Sequence, residues 1–390
     1  MRNGLSAQAA SAGLLAALIG FASSFAVILR GLGAAGATPT QAASALLALS
    51  VAMGVCGILL SVGTRVPVSV VWSTPGAALL ISAPPVPGGY GYAVGAFMLA
   101  SLLVILAGLW TPLGRLVSAI PRSLANAMLA GVLFELCLAP VQALEQQPRD
   151  AIIILLVWAA VGRFRRLYAV PAAVVATLIL AGLALHHGST GLQLHPVLTL
   201  IEPHFAWATI ASVTIPLFVV TMASQNIPGL AVLHMNGYRP SPRLLFASAG
   251  FTGFLTAPFG GHMLNLAAIT ASLCAGPDAH PDPARRWWAA VVAGVGYIFL
   301  GLLSGAITTF IALSSPVLIA AVAGLALLGP LGGALAGATA EPAERDAAIL
   351  TFLIPASGLN FLGIGGAFWG LAAGCAVLAI QGKGLFRRAV

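Results

Sequence analysis

Two short stretches decide the fold of this chain: VPVSVVWSTPGAALLIS at residues 66–82 and TAPFGGHMLNLAAITASLC at residues 256–274. Each interrupts an apolar run with proline and glycine, and the two stand at corresponding places in the two halves of the chain. Broken segments in matched positions indicate the binding site of a secondary transporter built from an inverted repeat. We therefore expect the substrate to bind where these two stretches meet.

The composition is that of a membrane protein. The chain has 390 residues, of which 59% are hydrophobic and 7% charged, with a mean hydropathy of +1.02. Apolar runs long enough to cross a hydrocarbon core of roughly 30 Å follow one another with little polar sequence between them. The sequence predicts an all-α polytopic protein with segments at 9–29, 41–62, 66–82, 91–110, 119–140, 151–162, 168–187, 207–232, 243–256, 258–275, 287–312, 316–338, 345–360 and 364–382.

The basic residues give the orientation of these segments. With the N-terminus inside, all but two of the 17 lysines and arginines fall on the cytoplasmic side, and only Arg30 and Arg149 lie outside. This asymmetry is the positive-inside pattern. The net charge of +8 is therefore explained by topology, both termini are expected in the cytoplasm, and no nucleic-acid partner is expected.

Fourteen segments divide into two sets of seven, and an odd number per half inverts the second half relative to the first. The prediction is a 7+7 inverted repeat with segments 3 and 10 broken. Residues 1–187 form the first repeat, residues 188–206 a periplasmic linker, and residues 207–390 the second repeat.

The broken segments suggest how an anion is held. A helix that starts inside the membrane leaves backbone N–H groups unpaired at the positive end of its dipole. In the first segment, Ser73 and Thr74 precede a proline and Gly76, which we interpret as a cap followed by a residue small enough for a ligand to approach. In the second, Gly261 permits an irregular backbone and His262 is expected to open the helix. Two kinked packing helices are the alternative interpretation.

Polar side chains at membrane depth are rare in this chain, so each is a candidate. The amides of Gln225 and Asn226 are expected to bind a carboxylate or each other. His262 can titrate near neutral pH and is a candidate for both substrate binding and proton coupling, the alternative being that it simply satisfies a backbone carbonyl. Asn265 lies one turn beyond it, to orient it, to line the site or to pack between helices. Glu135, the acid well inside an apolar run, is the second proton-coupling candidate if its carboxyl is buried; the alternative is that it faces a water-filled vestibule or pairs with a neighbour.

Aromatic residues flank the broken segments. Trp72, Phe21, Phe25 and Phe259 are candidates to sandwich a flat ring, although aromatic residues of membrane helices also simply pack.

Motifs of catalysis and of cofactor binding are missing from the sequence. It has no nucleotide-binding loop, zinc-protease motif or nucleophile elbow. Its four cysteines lie in apolar spans without CxxC spacing, which favours buried thiols over disulfides or a metal site. We expect neither an enzyme nor any catalytic residue, metal or cofactor.

Three motifs carry a resemblance to a known family: WSTPGAALL at 72–80, MASQNIPGL at 222–230 and PFGGH with NLAAIT between 258 and 270. They resemble the benzoate membrane transport protein family, the BenE-type benzoate/proton symporters. The resemblance implies import of benzoate or a related aromatic carboxylate, together with protons, across a bacterial inner membrane.

That family is in turn similar to the nucleobase permeases and the sulfate-type anion transporters. The similarity implies a core domain (about 9–110 and 207–312), a gate domain (about 112–187 and 316–382), a short strand plus half-helix in each broken segment, and a homodimer as an assembly to test. The nucleobase permeases carry functional glutamates where this chain has Gln225 and His262. An amide and an imidazole suit an anion better, because a buried carboxylate would repel it.

Other functions stay open at this point. The same pair of helix starts serves an anion exchanger or a channel-like carrier for another small organic or inorganic anion. A membrane-embedded enzyme using His262 and Glu135 as acid and base, and a purely structural scaffold, are weaker alternatives, because neither needs broken segments in register.

Overall fold

The computed structural model describes residues 5–83, 86, 88–110, 112, 120–184, 197–361 and 364–382. These residues are mostly helical. In chain order the helices and strands are α1 (Ala7–Ala22), α2 (Phe25–Ala34), α3 (Pro39–Thr64), β1 (Val70–Trp72), α4 (Thr74–Ser82), α5 (Tyr90–Leu109), α6 (Arg122–Gln146), α7 (Pro148–Phe164), α8 (Ala169–Ala184), α9 (Trp207–Met235), α10 (Pro242–Thr256), β2 (Leu264–Leu266), α11 (Ile269–Ala275), α12 (Trp287–Leu302), α13 (Ser304–Leu313), α14 (Pro316–Thr339), α15 (Arg345–Ala356), β3 (Asn360–Phe361), β4 (Ile364–Gly365) and α16 (Gly366–Ile380).

Several helices match the length of a bilayer. Within the described residues, six helical spans are long and apolar enough to cross a membrane: Ala7–Ala34, Pro39–Thr64, Tyr90–Leu109, Arg122–Gln146, Trp207–Met235 and Pro316–Thr339. The predicted boundary between the repeats at 187 falls on residues 185–196, outside the described part of the chain.

The described helices pack in two groups. In the first group α1 and α3 pack against α12, and α5 packs against α10. In the second group α6 packs against α14 and α15, α15 packs against α16, and α7 packs against α8. The two groups meet around β1, α4 and the middle of α9.

Two short strands pair beside the meeting point of these groups. Strands β1 and β2 pair antiparallel, with Val70 opposite Leu266 and Trp72 opposite Leu264. Helix α4 begins directly after β1, because Ser73 caps the amide of Gly76 through its side chain and Pro75 fits the first helical turn. Helix α11 follows β2 after two residues, without a side-chain cap. Each broken segment is thus a short strand followed by a short helix.

The predicted helix start at His262 is wrong. A 3-10 turn at Ala257–Phe259 ends at Gly260, whose φ of +91° is in the left-handed region that favours glycine. The chain then runs extended into β2, and the helix starts at Ile269. Residues 264–266 form a strand and not a helix because β1 supplies hydrogen-bond partners for them. Such a distant partner is not visible in the local sequence.

Helix α9 contains π-helical stretches at Ile210–Thr214 and Met222–Asn226. Each lies just before a proline, Pro216 or Pro228, whose ring lacks an N–H and disturbs the regular ladder. The second stretch carries Gln225 and turns it toward the point where the two groups meet.

Candidate functional site

A cavity of about 940 Å³ lies between the two helix groups. One wall comes from the α1–α2 junction, β1, the start of α4, the second π stretch of α9 and residues 267–270. The other wall comes from α6, α7, the start of α8 and the middle of α14. Its volume is in the range of small-molecule sites.

The lining is mostly apolar with a few polar side chains: Ser23, Ser24, Thr74, Asn126, Arg166, Ser224, Gln225 and Thr270. The serine hydroxyls bond to backbone carbonyls of their own helices, and Thr270 bonds the Ser69 hydroxyl at 2.7 Å. The described residues include no hydrogen-bond partner for the side chains of Thr74, Gln225, Asn126 and Arg166. These groups are available to a ligand.

Trp72 forms part of the wall with its ring fixed from behind. Its indole N–H donates to the Ser24 hydroxyl at 2.8 Å, and Phe21 packs against it with ring centroids 5.1 Å apart. Phe25 stacks on Phe21 at 5.7 Å. Phe21, Phe25 and Phe259 do not line the cavity, so the expectation that they hold a ring is wrong. Of the four predicted aromatic residues, Trp72 alone lines the cavity.

Ser73 and Gly76 lie behind the cavity wall. The Ser73 hydroxyl accepts from the Gly76 amide at 3.1 Å and bonds the Thr221 hydroxyl at 2.9 Å. A Cβ added to Gly76 would lie 2.6 Å from a Leu217 methyl. Gly76 is therefore small to permit packing of α4 against α9, not to admit a ligand, which corrects the sequence interpretation.

His262 is completely buried and links the broken segments. Its Nε2 lies 2.9 Å from the Ser73 carbonyl oxygen, and the Ser73 amide donates to the Met263 carbonyl at 3.1 Å. A carbonyl only accepts, so Nε2 carries the hydrogen and Nδ1 has the lone pair. Nδ1 has no hydrogen-bond partner among the described residues, and Phe97 packs edge-on to the ring. His262 does not line the cavity.

Gln225 and Asn226 have different roles despite being neighbours. Gln225 lines the cavity, whereas Asn226 is fully buried behind it. The Asn226 side-chain oxygen accepts from the Leu266 amide at 2.9 Å, and its amide nitrogen lies 3.2 Å from the Met222 sulfur. Asn226 thus fastens β2 to α9, and its predicted contact with substrate is corrected to a positioning role.

The remaining predicted residues do not line the cavity. Asn265 is buried and donates to the Leu266 carbonyl at 2.9 Å. Gly261 packs against Leu49 and Thr256. Glu135 is exposed on α6 and does not line the cavity, so of the two interpretations of this carboxyl the buried one is wrong.

The structure adds residues that the sequence interpretation missed. Asn126, Trp158 and Arg166 line the cavity from the second helix group. Asn126 was recognisable by the criterion that selected Gln225, since it is an amide within the apolar run ANAMLAGVL. Within the described residues, no cluster of histidine, cysteine or acidic side chains has the arrangement of a metal site.

Comparison of the fold with solved structures identifies anion transporters. The chain is similar to the transmembrane domain of the cyanobacterial bicarbonate transporter BicA, with a TM-score of 0.60, 15% identity and coverage of 90% of this chain and 98% of that one. It is also similar to the murine anion transporter Slc26a9 in its inward-facing state, with a TM-score of 0.59, 10% identity and coverage of 96% and 68%. At these identities the similarity shows the fold.

Sequence comparison identifies closer relatives. The chain is 43% identical over 368 residues to the inner membrane protein YdcO of Escherichia coli, covering 93% of each chain. It is 31% identical over 375 residues to the benzoate membrane transport protein of Acinetobacter baylyi, covering 95% of this chain and 94% of the relative. The family model described as benzoate membrane transport protein matches residues 4–380. The family and the structural neighbours are transporters and not enzymes, and the chain belongs to the benzoate membrane transport protein family.

Proposed function

We propose that this protein imports benzoate or a related aromatic carboxylate with protons across a bacterial inner membrane by alternating access. The observation that carries the proposal is the pair of uncommitted polar groups, Thr74 and Gln225, on the first-group wall of an otherwise apolar cavity. A carboxylate needs a few donors and its ring needs apolar surface, and the cavity offers both. The family and the anion-transporter fold support this choice.

The carboxylate is held at the start of α4. Thr74 is the first residue of this helix, where the dipole is positive, and its hydroxyl is free to donate. Gln225 supplies an amide donor from the π stretch of α9. The ring lies against Trp72 and the apolar side chains of the lining. Neutral donors of this kind bind an anion at membrane depth without the desolvation cost of a buried cation.

His262 carries the coupled proton. Its Nε2–H is fixed by the Ser73 carbonyl, so a proton adds at Nδ1, which has no partner among the described residues. Ser73 in turn caps α4, so a positive imidazole adds to the potential at the start of that helix. Proton and anion then favour each other's binding. Glu135, exposed and away from the cavity, has no such connection.

The architecture behind this function is a 7+7 inverted repeat of fourteen segments with cytoplasmic termini, the core moving against the gate. The antiparallel pairing of two matching strand-plus-helix segments supports it. The Gln8 side chain bonds the Asp278 carbonyl, and Ser123 bonds Glu344. These contacts join the first turns of α1 and α6 to segments that the charge pattern assigns to the cytoplasm. A homodimer is the assembly we expect, and mass measurement in a membrane mimetic tests it.

Uptake of labelled benzoate into proteoliposomes tests the proposal. With an imposed inward proton gradient we expect accumulation that a protonophore abolishes. Unlabelled benzoate should compete, and sulfate or bicarbonate should compete weakly. Accumulation indifferent to the protonophore contradicts symport, and stronger competition by the inorganic anions favours an exchanger of small anions instead.

A further inference from the structure

The second-group wall of the cavity has polar groups that the proposed site does not use. Asn126 projects from α6, and Arg166 begins the 3-10 turn Arg166–Tyr168 between α7 and α8. Neither side chain makes a hydrogen bond to a described residue. Arg166 is the charged residue of the lining. An amide and a guanidinium on the same wall match the chemistry of a carboxylate.

Their positions differ from those of Thr74 and Gln225. Arg166 is exposed, so it lies at the mouth of the cavity, while Thr74 and Gln225 are half-buried. Asn126 lies in the second turn of α6, close to the end where Ser123 bonds Glu344. Asn126 is half-buried, as Thr74 and Gln225 are. The second wall therefore presents a guanidinium at the mouth and an amide farther inside the cavity.

We propose that Asn126 and Arg166 form a second recognition point for the carboxylate, through which the anion passes between the mouth and the site at Thr74 and Gln225. This inference rests on the proposed function. Arg166 attracts the anion over a distance, because an exposed guanidinium at the rim of a low-dielectric cavity raises the local anion concentration. Asn126 then donates to the carboxylate inside the mouth, and the anion moves on to the neutral donors of the first group.

A glycine on α14 sets the position of the Asn126 amide. A Cβ added to Gly337 would overlap the Asn126 amide nitrogen, whereas a Cβ added to Gly332 meets nothing within 4 Å. A methyl group at position 337 therefore displaces the amide, and the same change at position 332 does not. The chain thus offers a way to move Asn126 without replacing it.

The test measures benzoate binding to the full-length protein in lipid nanodiscs by stopped-flow tryptophan fluorescence, since Trp72 and Trp158 line the cavity. Arg166→Gln is expected to lower the association rate constant on the order of tenfold at low salt, and the difference should shrink at high salt. Arg165→Gln is the matched control, because Arg165 is exposed in the same loop but not in the lining. Arg166→Lys should restore most of the rate.

The amide is tested separately. Asn126→Ala and Gly337→Ala are each expected to lower the association rate constant for benzoate by about fivefold, the net effect of losing one hydrogen bond that water partly replaces, while Gly332→Ala leaves it unchanged. Equal association rate constants in Arg166→Gln and Arg165→Gln, with an unchanged association rate constant in Asn126→Ala, overturn this inference while binding by the unaltered protein still supports the proposed function. Absence of benzoate binding in the unaltered protein overturns both.

Discussion

The Nε2 atom of His262 lies 2.9 Å from the carbonyl oxygen of Ser73, so a side-chain hydrogen bond joins the two broken segments in addition to the backbone pairing of β1 with β2. It fixes the tautomer of a fully buried imidazole and connects that imidazole to the residue that caps α4. In the proposed mechanism, Ser73 is therefore the residue that links protonation of His262 to anion binding at the start of α4.

His262→Gln is expected to remove proton coupling while keeping a side-chain donor near Ser73. In the unaltered protein, benzoate should bind more tightly as the pH falls, because the protonated imidazole adds positive charge near the carboxylate. In the variant the affinity should not change with pH, and exchange of benzoate should continue without gradient-driven accumulation. Titrating benzoate binding at several pH values measures this. His204→Gln, an exposed position, is the control, and a pH dependence surviving in His262→Gln argues against the histidine.

Gln225→Ala is expected to weaken benzoate binding and leave the fold intact. Loss of a hydrogen bond to a charged group costs about 2 kcal/mol, roughly 30-fold in Kd. Calorimetry measures the affinity and thermal unfolding the stability. Gln225→Glu should bind still more weakly at neutral pH because of charge repulsion. An unchanged affinity in Gln225→Ala removes this residue from the site.

In contrast to Gln225→Ala, Asn226→Ala is expected to lower the stability of the fold. The Leu266 amide would lose its acceptor in a buried environment, at a cost of about 1–3 kcal/mol. The thermal unfolding midpoint of purified Asn226→Ala should be lower than that of purified Gln225→Ala. Equal midpoints for the two variants would remove the fastening role assigned to Asn226.

Gly76→Ala is expected to impair transport although Gly76 is not in the lining. The new methyl would crowd Leu217 and the Ser73 hydroxyl, and overpacking of this kind costs about 1–3 kcal/mol. Uptake and thermal stability should both fall. Gly33→Ala, with nothing within 4 Å of the added carbon, should leave both unchanged.

Glu135→Gln is expected to leave uptake and its dependence on the proton gradient unaltered, because the carboxylate is exposed on the outside of α6. The same proteoliposome assay measures it. Loss of gradient-driven uptake in this variant would make Glu135 the proton carrier in place of His262.

Local patterns in the sequence predicted the broken segments but not how they fit together. Proline and glycine mark the interruptions near Ser73 and Gly260, and a Ser-Thr-Pro cap predicted the start of α4 correctly. The start of α11 was wrong because strand pairing with Val70–Trp72 extends the chain after His262, and such pairing depends on a partner far away in the sequence.

For the site residues too, the sequence predicts which side chains are polar at membrane depth but not which of them face the cavity. Hydropathy shows that Gln225, Asn226 and Asn126 are polar at membrane depth, but the π stretch of α9 decides that Gln225 faces the cavity and Asn226 faces β2. Arg166 was counted only as an orientation signal, because a positive charge at a helix end has that meaning in most membrane proteins. Only the packing of the two helix groups places it at a cavity.

The most direct test of the central claim is a crystal structure of the protein with 4-iodobenzoate, in which anomalous scattering locates the iodine and the density locates the carboxylate. We expect the carboxylate within hydrogen-bond distance of Thr74 and Gln225, with the ring against Trp72. A ligand bound elsewhere, or a carboxylate paired with a side chain outside this cavity, contradicts the account.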